Sequence, residues 1–209
     1  MRKIKEAISH LHLIKKILVK RNNNIHIPKS AKIKLEIYGK NNTIEIADNV
    51  IINEGTIKIY GSDSLIRIGE KTRFQKIDFW LEDNGSKIVI GRNCNFCGEA
   101  DISCIEGHTI KIGNNLLVSR NFSIVNGDSH SIIDLNRKRI NKSNDMVIED
   151  HVWIGKNVSI LKGGSIGQDT IVGANSLVTK NFKNAHNVIL AGNPAKIIKE
   201  QVNWDHKRF

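Results

Sequence analysis

Aromatic side chains make up only 5% of this 209-residue chain. That scarcity argues against a bulky globular core and, with Ile, Asn and Lys abundant, favours thin, stacked structure. It also argues against a nucleic-acid binder, since base-stacking rings are few and no nucleic-acid module is visible. No apolar run approaches the length of a membrane span. The N-terminus lacks a signal-peptide core and cleavage site, so a cytoplasmic protein is the default expectation. Cysteine is scarce and clustered, at Cys94, Cys97 and Cys104. The Cys-Asn-Phe-Cys spacing has no second pair to complete four zinc ligands, and all three are expected as small core residues. Nothing requires an oxidising compartment.

Positive charge is in excess. Lys and Arg number 32 against 21 Asp and Glu, a net charge of +11. Such a surface attracts anions: an acidic polymer, a phosphorylated cofactor, an anionic membrane. Part of it is plain solvated surface. The length suits one domain with a full core.

The chain is also repetitive. From Ile148 it reads IEDHVW IGKNVS ILKGGS IGQDTI VGANSL VTKNF. An aliphatic opens each unit, at Ile148, Ile154, Ile160, Ile166, Val172 and Val178. A period of six fits neither a helix nor an alternating strand. It fits short strands joined by turns, one aliphatic per side pointing inward, which is a parallel β-helix. Upstream, Ile46, Ile68, Ile90 and Ile112 open segments 22 residues apart, four more than three hexads need. The Gly/Asn/Ser/Asp clusters in IYGKNNTIEI and IYGSDSLIRI are turn chemistry suited to hold that excess at one corner.

Three regions follow. Residues 1–23 carry Ile4, Ile8, Leu11, Ile14 and Leu18 at helical spacing among Lys and Arg, which predicts a basic amphipathic helix. It would cap the first coil, pack between subunits, or lie on an anionic membrane at its inner face. Residues 24–183 form the β-helix, interrupted by a departure at 128–147. Residues 184–209 are expected as a turn, a short helix starting near Pro194 and a polar tail.

The hexads from Ile148 to Phe182, with VWIG, VGANSLVTK and then VILAGNPAKIIK, resemble the hexapeptide-repeat acyltransferases. The similarity is strongest to the bacterial O-acetyltransferases of sugars, including those that decorate capsules or lipopolysaccharide. It covers about residues 112–199; further upstream only the rhythm matches. Serine and nucleotide-sugar acetyltransferases share the ladder and stand as alternatives, as does a non-enzymatic repeat protein binding an acidic polymer. The resemblance implies an all-β, left-handed parallel β-helix, a homotrimer with sites between subunits, acetyl-CoA as donor and a carbohydrate acceptor. The basic charge favours an acidic polysaccharide.

The same resemblance places His130, within GDSHS, on the catalytic base. A hydroxyl needs a base as it attacks a thioester, and histidine suits that task near neutral pH. Asp128 is read as orienting the imidazole, binding the acceptor, or serving the turn. Trp153 falls on a functional Trp of related polysaccharide enzymes, with packing against an adjacent subunit as the alternative; His151 is read as plain surface. For the coenzyme, Gly173, Ala174 and Ser176 offer strand edges free of bulk. Thr179, Lys180, Lys196 and Lys199 stand at contact or cationic positions, the last two replacing arginines frequent in the family. Gly192, Asn193 and Pro194 turn the chain back over it. His108 lies 22 residues before His130. No metal is assigned to the pair.

Overall fold

A computed structural model describes residues 17–19 and 22–207. The described chain is all strand and turn, wound as a parallel β-helix. One face is an eight-stranded sheet that includes Thr43–Ile46, Leu65–Ile68, Lys87–Ile90 and Thr109–Ile112. A thirteen-stranded sheet wraps the other two faces, its strands Ile51–Ile59, Arg73–Leu81 and Asn95–Cys104 running on around a corner.

The hexad register becomes three columns of stacked side chains. The first is Ile46, Ile68, Ile90, Ile112, Ile148, Ile166 and Phe182. Phe74, Phe96, Val118, Ile154, Val172 and Leu190 make the second. Leu35, Ile57, Phe79, Ile102, Ile124, Ile160 and Val178 make the third. Nearly all are withdrawn completely from solvent, and each such side chain contributes roughly 1.5–3 kcal/mol.

The corners explain the abundance of Asn. Asn93, Asn115, Asn121, Asn157 and Asn175 all have φ between 58° and 59°, a region Asn tolerates better than most residues. Their side chains form ladders from coil to coil: Asn121 donates to Asn157 at 2.9 Å, and Asn157 to Asn175 at 2.9 Å. The surplus residues of the long coils lie at the corner between the third and first columns, in Tyr60–Ser64 and Glu82–Ser86, as the turn chemistry predicts. Coils approach closely there. A Cβ on Gly61 would fall 1.7 Å from the carbonyl oxygen of Asp83.

Both ends differ from expectation. Of the predicted N-terminal helix, residues 1–16, 20 and 21 lie outside the described residues. Ile17–Val19 is a strand, paired in parallel with Leu35–Ile37; an Ile-Leu-Val run next to an open sheet edge gains ladder hydrogen bonds as a strand. At the C-terminus, Val188–Gly192 continues the stack beyond residue 183, with Leu190 joining the second column against Val172. The helix expected from Pro194 is instead a strand, Ala195–Glu200, antiparallel to Val188–Gly192. The turn at Gly192 (φ 107°), Asn193 and Pro194 reverses the chain, so the following residues pair with a sheet edge that a helix would leave open.

Gly85 has φ of 78° but nothing within 4 Å of a built Cβ. Gly85→Ala is therefore expected to cost only about 1–2 kcal/mol, the strain of a left-handed alanine. Gly61→Ala must force two coils apart and is expected to lower the melting temperature further. Calorimetry giving the opposite order would contradict this account of the corners.

Candidate active site

Among the described residues the stack is left at one place. Between strands Phe122–Val125 and Met146–Ile148, residues 126–145 form a loop, and buried polar groups set its base. The fully buried Asn126 accepts a hydrogen bond from the Ile105 amide at 2.8 Å and donates to the Ile105 carbonyl at 3.1 Å. Its own carbonyl accepts from the Asn144 amide at 3.2 Å, closing exit against return. Gly127 permits the closure, because a Cβ there would lie 2.3 Å from Ser143 Oγ.

Asn141, 5% exposed, ties the loop to itself. Its Nδ2 donates to Asp128 at 2.9 Å and to the His130 carbonyl at 2.7 Å, while its Oδ1 accepts from the Ile132 amide at 2.8 Å. Asp128 also pairs with Lys162, and Arg139 pairs with Glu106. Lys162 and Asn141 together hold the Asp128 carboxyl below its ordinary range. Glu106 sits low as well: burial pushes it up, but the Ser143 amide and Arg139 outweigh that. Asp145 is lowered by the Thr109 amide, with His108 adding to the effect. Three carboxylates pin the loop.

His130 stands exposed at the start of this loop, its amide donating to the Asp128 carbonyl at 2.5 Å. Among the described residues nothing hydrogen-bonds its ring, so the imidazole is open to a proton-bearing ligand. Asp128 does not hold that ring; its Oδ2 accepts from both Asn141 and Lys162. Within one chain, Trp153 is elsewhere. It faces outward from the second column, in a row with Leu117, Ile171 and Ile189, whereas the loop leaves from the end of the third. Trp153 is 41% exposed. His151 is not plain surface: Trp204 stacks on it at 4.4 Å and 11°, donates from Nε1 to its carbonyl at 2.9 Å, and lies 6.2 Å from the Trp153 ring.

The residues assigned to the coenzyme fall in two groups. Gly173, Ala174 and Ser176 form one corner, and Ser176 Oγ donates to the Gly173 carbonyl at 2.7 Å and accepts from the Gly192 amide at 3.2 Å. That bond brings the exposed turn of Gly192, Asn193 and Pro194 against the corner, with Lys196 and Lys199 exposed on the strand beyond. Thr179 and Lys180 lie instead on the edge from which the loop departs: Leu161 hydrogen-bonds to Val178 as Ser123 and Ser159 align with Leu177. Lys162 and Lys180 thus follow one another along that edge.

Sequence reasoning missed Lys162, Asn141, Asn126 and Trp204. Lys162 reaches the loop because Ser123 and Ser159 are register partners on adjacent coils across the interruption. Asn141 and Trp204 carry no motif. Of the cysteines, Cys94 and Cys104 are buried and desolvation pushes each thiol to about 11, whereas Cys97 is exposed, against the expectation of a core residue. Its position alternates outward along Asn95–Cys104.

Comparison with known proteins agrees with the fold. Residues 145–180 match the family model described as bacterial transferase hexapeptide (six repeats). The chain is 32% identical over 192 residues to the polysialic acid O-acetyltransferase of Neisseria meningitidis, covering 90% of this chain and 88% of that protein. It is 34% identical over 121 residues to the polysialic acid O-acetyltransferase of Escherichia coli O1:K1 / APEC, covering 57% of this chain but only 38% of that longer protein. The crystal structure of the polysialic acid-specific acetyltransferase NeuO matches with a TM-score of 0.77 at 31% identity, over 88% of this chain and 83% of that one.

The lowered carboxyls of Asp128, Glu106 and Asp145 set a pH dependence. A carboxyl depressed in the folded state stabilises it fully above its unfolded value of about 4 and loses that contribution as pH falls through the folded value. The loop is therefore expected to stay closed at neutral pH and to loosen in acid. Hydrogen exchange corrected for intrinsic rates should show the Ile132 and Ser143 amides losing protection below about pH 4. Protection that persisted well below that pH would contradict the pinning.

Proposed function

The chain belongs to the hexapeptide-repeat transferases, among the O-acetyltransferases of sugars, and from that premise we propose that it moves the acetyl group of acetyl-CoA to a hydroxyl of an acidic cell-surface polysaccharide. The observation that carries the reading is His130: an imidazole exposed and unengaged among the described residues, on the loop that leaves a rigid wall, held by Asn141 through its own carbonyl.

The acceptor hydroxyl sits within hydrogen-bond reach of His130. As its oxygen attacks the thioester carbonyl, its proton passes to the imidazole; the tetrahedral intermediate collapses and the coenzyme leaves as thiol, taking the proton back. A backbone N–H at the coil edge stabilises the oxyanion. The corner at Gly173 and Ala174 fits a pantetheine arm, since it presents backbone and no large side chain, and a Cβ on Gly173 would already stand 3.1 Å from that of Ala191. Lys180, Lys196 and Lys199 supply charge for the phosphates.

We place Trp153 opposite His130 of a neighbouring copy in a homotrimer. Support comes from apolar surface that a lone chain leaves wet: the outward row Leu117, Trp153, Ile171 and Ile189, and the loop residues Ile132, Ile133, Leu135 and Ile140, from 53% to 103% exposed. Clusters of this kind mark interfaces, and cyclic assembly repeats one site three times. The reading locates the enzyme in the cytoplasm, with residues 1–22 available for contact with the inner face of the membrane.

His130→Ala is expected to cut kcat by about 10²- to 10⁴-fold while acetyl-CoA still binds. Lys180→Ala should chiefly raise the KM for acetyl-CoA. Wild-type turnover by His130→Ala on an acetylatable sugar polymer would refute the base. Light scattering is expected to give a trimer, and a fully active monomer would remove the shared site.

A further inference from the structure

Both tyrosines of the chain and one of its three tryptophans stand together on one outward face: Tyr38 and Tyr60 follow the paired Ile37 and Ile59, and Trp80, in register with Lys58, lies diagonally beside Tyr60. The Tyr38 and Tyr60 rings stack at 4.9 Å and 6°, and Tyr60 meets Trp80 at 4.8 Å and 43°. Tyr60 is 40% exposed, and Tyr38 and Trp80 are half-buried. The fold does not need these rings; the interior is filled by Phe74, Phe79 and Phe96. Two contacts hold the cluster in place: Trp80 Nε1 donates to Glu82 at 3.1 Å, and Lys58 Nζ lies 5.6 Å from the Trp80 ring centre, beside Glu36 at 3.9 Å.

Position gives the cluster its meaning. Tyr38 follows Ile37, which pairs with Ile59; Tyr60 follows Ile59, which pairs with Leu81; and Leu81 pairs with Cys104. Trp80 aligns with Ser103, and Ser103 with Val125, the last strand residue before the loop that bears His130. The aromatic cluster and the loop that bears His130 therefore share one edge of the prism. At about 4.8 Å per coil, Trp80 is roughly 10 Å from the loop's root.

We propose that Tyr38, Tyr60 and Trp80 form an external track for the acceptor polymer, stacking against pyranose rings of an extended, carboxylated glycan while a neighbouring residue of the same glycan reaches His130. The proposal rests on the sugar-acceptor reading and adds where the non-reacting part of the polymer lies. A pyranose presents C–H bonds on its faces, which pack against the electron-rich face of an aromatic ring as other apolar groups do. A ladder whose repeat is set by the coil spacing suits a repeating chain better than a single sugar. Lys58 at the Trp80 rung, on a chain of net charge +11, supplies the complement to carboxylates. Binding at such a remote site holds the polymer in place for the reacting centre.

The test is binding without acetyl donor, by the full chain, to polysialic acid and to neutral dextran as probes. Wild type should bind the acidic chain and not dextran. Tyr60→Ala and Trp80→Ala should each weaken binding about five- to tenfold, the effect of removing one stacked ring, while Tyr60→Phe should bind as wild type does. Lys58→Ala gives a second reading that leaves all rings in place: affinity should fall and depend less on salt. Alanine variants that bind as tightly as wild type overturn the track, as does a wild type that binds neither probe. Alanine variants that lose their assembly in light scattering also overturn it, because a second copy would then be what covers the rings. Because no donor is present, ring-dependent binding by a chain that transfers no acetyl group would keep the track and discard the acetyltransferase reading.

Discussion

Each coil must set its aliphatic side chains directly over those of the coil beneath, at the strand spacing of about 4.8 Å. Everything else follows from that constraint. It fixes the hexad, and it explains why aromatic residues are few inside: a narrow prism has room for one side chain per face, and mostly isoleucine fills it. It also forces the corners into left-handed backbone, which selects Asn and Asp and lets their amides bond from coil to coil. Stability is then local, with each coil resting on two neighbours.

Among the described residues the prism is filled by its three columns, which leaves its outer surface for chemistry. Two devices put it there. The loop after Val125 carries His130 away from the wall, and its polar anchors hold that departure in one shape: Asn126 at the base, Asn141 within, and Lys162 and Arg139 on carboxylates. The second device is the outward face, where the same register that stacks the core also lines up the exposed residues. The row Leu117, Trp153, Ile171 and Ile189 and the stacked pair Tyr38 and Tyr60 are by-products of a periodic core. A repeat fold turns a sequence period into a linear surface.

The stack was legible because its signal is periodic and redundant: seven residues point to the first column, and any one could change without hiding it. The surplus corners were legible through turn chemistry, and the departure after Val125 through the break in the repeat. What escaped lies outside the period. Pro194 after a Gly-Asn pair reads as the start of a helix, yet an open sheet edge beside it favours a strand, and sequence does not display edges. Asn141 and Trp204 act through contacts with residues 11 and 53 positions away respectively, which no local pattern encodes. Cys97 was misread because its neighbours at 94 and 104 are core residues, while alternation along its strand points it outward.

The central claim is that one external site joins His130 to the coenzyme corner across two copies of the chain. A crystal structure of the assembled protein with coenzyme A tests it most directly. The account predicts the thiol beside His130 of one copy, the pantetheine along the corner of Gly173 and Ala174, and the phosphates near Lys180, Lys196 and Lys199. A coenzyme bound away from His130, or held entirely by a single chain that does not trimerise, would contradict it.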